Sequence, residues 1–199
     1  MEFHTAQTIN ERIQLARELA DRFRQRAEQI DRAGAFPFDN MEELKQSGYT
    51  SLTVPRKYGG QEVSMLEMVQ LQEALATGDG STALSIGWHV GIMKNLTEKN
   101  SWDESVFRML CEDAMKGALV NGAATEPATG SPTRGGTFQT KAVKDGNYWV
   151  ISGHKTFTTL APVLDYFLVN VTVEDGGEGN KAATFLVPRT AEGVRIEET

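Results

Sequence analysis

Near residue 118 the apolar residues stop recurring every three or four positions and begin to alternate, and no other feature limits the fold as much. Upstream, Ile9, Ile13, Ala16, Ala20, Phe23, Ala27 and Ile30 trace one stripe of a helix over Thr8 to Ile30, with Thr8 and Glu11 spaced as a capping box. A short helix over Asn40 to Gln46 follows, closed by Gly48. Ser64 with Glu67 opens a third helix that runs to about Ala76. A fourth begins at Ser81 or Thr82 and runs to Lys99, apolar nearly all round and therefore expected to be central. Ser101 with Glu104 opens a fifth, which ends at Gly117.

Downstream, the stretches Phe138–Val143, Tyr148–Ile151, Tyr166–Val173, Ala183–Val187 and Val194–Ile196 read as strands, and Asp145-Gly146 marks a tight hairpin. Helices segregated before strands predict an α+β chain. An all-α helical domain over residues 1–120 precedes a β-barrel-like domain over residues 121–199.

Charge and cysteine content exclude several classes. A net charge of −7 with no basic cluster argues against nucleic acid and anionic membrane partners. The single cysteine, Cys111, forms no internal disulfide, and the first sixteen residues lack the apolar core of a signal peptide, so the expected compartment is the cytoplasm. No run approaches the roughly 20 apolar residues that span a bilayer. His4, His89 and His154 are too scattered for a metal site. Gly78-Asp79-Gly80-Ser81-Thr82-Ala83 has the glycine spacing of a dinucleotide loop, yet it follows a helix instead of a strand and is read as a helix–helix turn. His89, on the most apolar helix, reads by default as a hydrogen-bonded core histidine.

Two segments suit a ligand. In Thr125-Glu126-Pro127-Ala128-Thr129-Gly130-Ser131 a strand leads into small and hydroxylated residues that let a ligand approach the backbone; standing alone, the stretch would read first as a β-turn at Pro127. In Gly153-His154-Lys155-Thr156-Phe157-Thr158-Thr159 an aromatic stands among hydroxyls, a pairing suited to a flat heteroaromatic ring. Spacing alone serves Phe157 equally well as a core aromatic.

These two segments, with Val54-Pro55-Arg56-Lys57-Tyr58-Gly59-Gly60, make the chain resemble the N-terminal and middle domains of the acyl-CoA dehydrogenase family over nearly its whole length. The resemblance implies FAD in the middle domain, touched by Ala124, Thr125, Gly130 and Ser131 and, from the second segment, by Phe157, Thr158 and Thr159. It places Ser131 also near the CoA chain and His89 on a helix enclosing the acyl pocket. It implies α,β-dehydrogenation of an acyl-CoA thioester, an electron-transferring flavoprotein as redox partner and a homo-oligomer. Relatives continue into further strands and a helical bundle that carries the catalytic carboxylate. Neither pattern occurs in these 199 residues, so no catalytic residue is assigned, the β domain is read as incomplete and the chain alone is expected to be inactive. Pro132 stands where the family usually has an aspartate, and Gly122 where relatives often carry a larger residue beside the flavin. Both favour a second reading, a flavin-dependent monooxygenase of the same fold; a third is a truncated chain without catalysis.

Overall fold

Helix α1 (Ile9–Ala33) begins where its side chains can satisfy the free N–H groups of a first turn. The Thr8 hydroxyl accepts from the Glu11 amide at 3.3 Å, and the Glu11 carboxylate accepts from the Thr8 amide at 2.9 Å. Gly34 ends the helix with φ at 59°, a left-handed conformation that costs a residue without Cβ little. In a computed structural model that describes residues 2–99, 101–128, 137–174 and 181–198, the chain divides into two compact units, Met1–Leu119 and Val120–Thr199.

The first unit adds α2 (Phe38–Ser47), α3 (Met65–Ala76), α4 (Gly80–Lys99) and α5 (Glu104–Met115). Leu19 and Phe23 of α1, Leu44 of α2, Leu71 of α3, Ile86 of α4 and Leu110 of α5 are buried in one core. Arg12 of α1 meets Glu67 of α3 at 3.1 Å. The turn between α3 and α4 holds Gly78, where a Cβ would strike the backbone of Ala20, so the glycine serves close helix packing.

Three details differ from the sequence reading. The buried face of α1 turns toward Leu15 and Leu19, leaving Ile9 and Ile13 half-buried. Capping of α4 and α5 falls to aspartates: Asp79 accepts from the Ser81 amide at 3.1 Å, and Asp103 accepts from the Ser105 amide at 2.9 Å, in place of the expected Ser101–Glu104 box. A carboxylate at these positions also meets the positive end of the helix dipole. Helix α4 buries Ile86, Val90 and Met93 but exposes Leu84 and Trp88, so it is packed on one side instead of all round.

The second unit is a mixed five-stranded sheet: β1 (Val120–Ala123), β2 (Lys141–Asp145), β3 (Tyr148–Ser152), β4 (Tyr166–Glu174) and β5 (Lys181–Pro188). With the helices of the first unit it makes the α+β chain that the change of period predicts. Strand β4 is central. Antiparallel β5 lines one edge from Tyr166 to Val173, while the other edge is shared by parallel β1 over Tyr166–Val169 and parallel β2 over Thr172–Glu174. Strand β3 pairs with β2 through a two-residue turn at Gly146, whose φ is 58°. Residues 138–140 stay outside β2 because their polar groups are engaged elsewhere. Val194–Ile196 is irregular and pairs with no described strand, since alternation specifies a face but supplies no partner. Among the described residues no helix is long and apolar enough to cross a membrane.

Candidate functional site

The shared edge of β4 creates the site's framework. The chain leaves that edge after Ala123, opposite Val169, and returns at Lys141, opposite Thr172. Three residue steps along β4, roughly 10 Å, therefore separate the feet of the excursion that carries the first ligand segment. The returning foot is pinned by the Thr172 amide, which donates to the Thr140 carbonyl at 2.8 Å, and by the Thr172 hydroxyl, which donates to the Phe138 carbonyl at 2.8 Å.

The second segment lies beside the first and runs the opposite way. The Thr156 amide donates to the Thr125 carbonyl at 2.9 Å, and the Asn121 side chain donates to the Thr159 carbonyl at 2.9 Å. Buried Asn121 also accepts the Gly122 amide at 2.7 Å, which fixes its side chain. The structure thus brings Ala124 and Thr125 together with residues 156–159. Gly130, Ser131 and Pro132 lie outside the described residues.

Beneath the junction sits a buried charge cluster that sequence reasoning did not assemble. The Glu126 carboxylate accepts from the Gln139 amide at 2.7 Å, the Thr140 amide at 2.8 Å, the Thr140 hydroxyl at 2.6 Å and the Lys155 ammonium at 2.8 Å. Lys155 also donates to the Ala124 carbonyl at 3.4 Å and stands 4.6 Å above the Phe138 ring. Burial alone would raise the Glu126 pKa; the hydrogen bonds from Lys155, Thr140 and Gln139 outweigh it and hold the carboxyl far below the ordinary range. A carboxylate so engaged is a structural anion and a poor proton acceptor. The available signal was a lone Glu and a lone Lys inside segments otherwise made of small, hydroxylated and aromatic residues.

The surface above this cluster has the features of a binding face. Phe157 adopts φ of 54° and is 87% exposed. A left-handed conformation costs an aromatic residue roughly 1–2 kcal/mol, and such strain persists only where the surroundings impose it. The barrel-core alternative for Phe157 is thereby removed. Leu160, with φ of 70°, turns its own side chain inward. The Thr156 Oγ1 is buried without a hydrogen-bond partner, and among the described residues the half-buried hydroxyls of Thr125, Thr158 and Thr159 make no hydrogen bond within the protein. Beside them in β1, a Cβ built on Gly122 would meet nothing within 4 Å. Uncommitted hydroxyls, an exposed ring and open space at a glycine fit a flat ligand with a polar edge.

His89 belongs to α4 of the helical unit. It is fully buried, and its Nε2 lies 2.9 Å from the Thr50 carbonyl, the arrangement of a hydrogen-bonded core histidine.

Comparison with known proteins adds the following. Residues 9–105 match the pattern described as acyl-CoA dehydrogenase, N-terminal domain, and residues 121–199 match acyl-CoA dehydrogenase, middle domain. The chain is 46% identical over 181 residues to the putative acyl-CoA dehydrogenase YdbM of Bacillus subtilis (strain 168), covering 91% of this chain and 47% of YdbM. It spans about half the length of the curated relatives it matches. Among solved structures, KijD3 in complex with FMN and a dTDP-linked amino keto sugar superposes with a TM-score of 0.83 at 25% identity, covering 95% of this chain and 46% of KijD3. Butyryl-CoA dehydrogenase from Megasphaera elsdenii shares the fold, with a TM-score of 0.80 at 21% identity, covering 97% of this chain and 51% of that enzyme.

Proposed function

Because this chain belongs to the acyl-CoA dehydrogenase family, we propose that its β unit holds FAD and that the intact protein dehydrogenates an acyl-CoA thioester between its α and β carbons. The observation that carries this reading is the Thr156–Thr125 hydrogen bond, which seats two hydroxyl-bearing segments side by side while leaving their side-chain hydroxyls uncommitted. When bound, FAD supplies a two-electron acceptor, chemistry that no side chain here provides.

The chain's own residues bind and orient. Thr125 and Thr159 hydrogen-bond the polar edge of the ring, assisted by the backbone of Ala124 and by Thr158, and Phe157 covers an apolar edge or face. Gly130 and Ser131 complete the first segment in this proposal, with Ser131 reaching toward the CoA chain. The Thr156 Oγ1, buried without a partner, lies in the same segment and gains a partner if a polar ligand atom arrives. His89 belongs to the helix that the family reading puts beside the acyl chain, and its Nε2 is held at the Thr50 carbonyl. No described carboxylate of the β segments is assigned the α-proton, since Glu126 is held by Lys155 and Thr140. The redox partner proposed is an electron-transferring flavoprotein, and the assembly a homo-oligomer. Anaerobic titration of the FAD-loaded intact protein with acyl-CoAs of graded chain length tests the reading. Loss of the oxidised-flavin band with at least one of them supports it; a band that persists with all of them overturns it.

A second reading, a flavin-dependent monooxygenase, is favoured by the open space at Gly122 and by KijD3, which is similar to this chain and whose complex holds FMN with a sugar nucleotide and no acyl thioester. Oxygen uptake by the chemically reduced protein, with incorporation of labelled oxygen into product, would select it.

A further inference from the structure

We propose that the buried Glu126–Lys155 pair is the positioning device of this site, setting the register of its two ligand segments so that flavin affinity and ring orientation depend on it. The inference rests on the flavin reading and assigns residues that the reading itself leaves without a role.

Among the described residues, the two segments lie outside the strand ladders. They belong to neither the β1–β4 ladder, which ends at Ala123–Val169, nor the β2–β3 ladder, which ends at Lys141–Ser152. Their direct ties are single hydrogen bonds at either end, Thr156 to Thr125 and Asn121 to Thr159. Glu126 binds three pieces of chain at once: its carboxylate belongs to the departing foot, accepts two amides and a hydroxyl of the returning foot, and meets Lys155 of the second segment. Lys155 closes the triangle by donating to Ala124 and standing over Phe138.

The pair is desolvated, with side-chain exposures of 10% for Lys155 and 1% for Glu126. In such surroundings directional charge-assisted bonds hold geometry well, and removing one partner strands the other. Close packing adds to this. A Cβ on Gly153 would collide with the Thr140 side chain, so the second segment already lies against the returning foot at van der Waals distance. The strained φ of Phe157 lies two residues after Lys155, and in this proposal the cluster helps to impose it.

The test uses the intact protein with FAD as the probe, comparing wild type with Lys155→Met, Lys155→Arg, Glu126→Gln and the double variant Glu126→Gln/Lys155→Met. Far-UV circular dichroism reports folding, and FAD affinity and the visible circular dichroism of bound flavin report ring placement. Lys155→Met should bind FAD roughly tenfold or more weakly with a changed visible spectrum, and Lys155→Arg should recover part of both. The double variant, which removes both charges of the pair, should fold at least as well as either single variant yet retain the altered flavin spectrum. A purely structural pair would change stability and leave affinity and spectrum as in wild type, and that result overturns the proposal. Should the single variants not fold, the double variant decides by the same two readouts. A wild type that takes up no FAD removes the flavin reading and this inference with it; flavin-binding variants indistinguishable from wild type remove the inference alone.

Discussion

The helical unit and the β unit differ in how much of their chain goes into a core: the fully buried large side chains lie in the first, while the second leaves an aromatic and several hydroxyls outside one. In the helical unit each helix-capping side chain named above has its backbone partner, and the largest buried apolar side chains, among them Tyr49, Phe23 and Met93, gather there. In the β unit an aromatic stands exposed on a strained backbone, hydroxyls stay uncommitted, and Tyr148, Trp149 and Val150 of β3 are open to solvent. The contrast shows how stability and recognition are divided. The helical unit holds the large fully buried side chains, although Arg12 Nε and Arg26 Nη2 are buried there without a partner, and the β unit gathers its buried charge in one cluster and presents hydroxyls and an aromatic outward.

The largest expected effect falls on the helical unit. Phe23 is fully buried, so Phe23→Ala should cost about 3–5 kcal/mol, read as a lower denaturant midpoint of the helical far-UV signal. A loss under about 1 kcal/mol would show that this core is not closely packed and would break the comparison.

Next comes acid. Because the folded-state pKa of Glu126 is depressed below its ordinary 4.5, its contribution to stability is complete above that pH and fades as pH falls from there toward the depressed value. Thermal stability, followed by the fluorescence of Trp149 in a variant whose Trp88 and Trp102 are replaced by Phe, should therefore fall below about pH 4.5, with a flatter pH dependence when Glu126→Gln is added. Parallel slopes for the two proteins would place the acid sensitivity elsewhere.

A third variant probes the close contact under the site. Gly153→Ala forces a methyl against Thr140 and should cost about 1–3 kcal/mol, while an alanine at Gly122, where space is open, should be near neutral. Equal effects at the two glycines would contradict the packing described.

The smallest effect has the opposite sign. Phe157→Gly relieves a left-handed aromatic, worth roughly 1–2 kcal/mol less the entropy of the glycine, so ligand-free stability should rise slightly while FAD binds more weakly. Destabilisation of the ligand-free protein would show that Phe157 is supported by packing and not held against strain.

Local chemistry made much of the helical unit readable: Thr8 with Glu11 and Ser64 with Glu67 are spaced as capping boxes, and both form. Asp79 and Asp103 were not recognised as caps because neighbouring serines and threonines offer the same signal. Strand positions followed from alternation, but the parallel pairing of both β1 and β2 to one edge of β4 could not, since it joins residues far apart in sequence. The same limit hid the Glu126 cluster. Each motif shows its own residues, while the carboxylate's partners come from Gln139, Thr140 and Lys155. The default reading of His89 as a core residue agrees with its Thr50 contact, which side-chain pattern alone could not identify.

Hydrogen exchange of the intact protein with and without FAD bears most directly on the claim that two segments converge on one ligand. Amides of residues 121–126 and 153–159 should gain protection together when FAD is added. Flavin binding that protects neither segment, or only one, would contradict the site as it is drawn here.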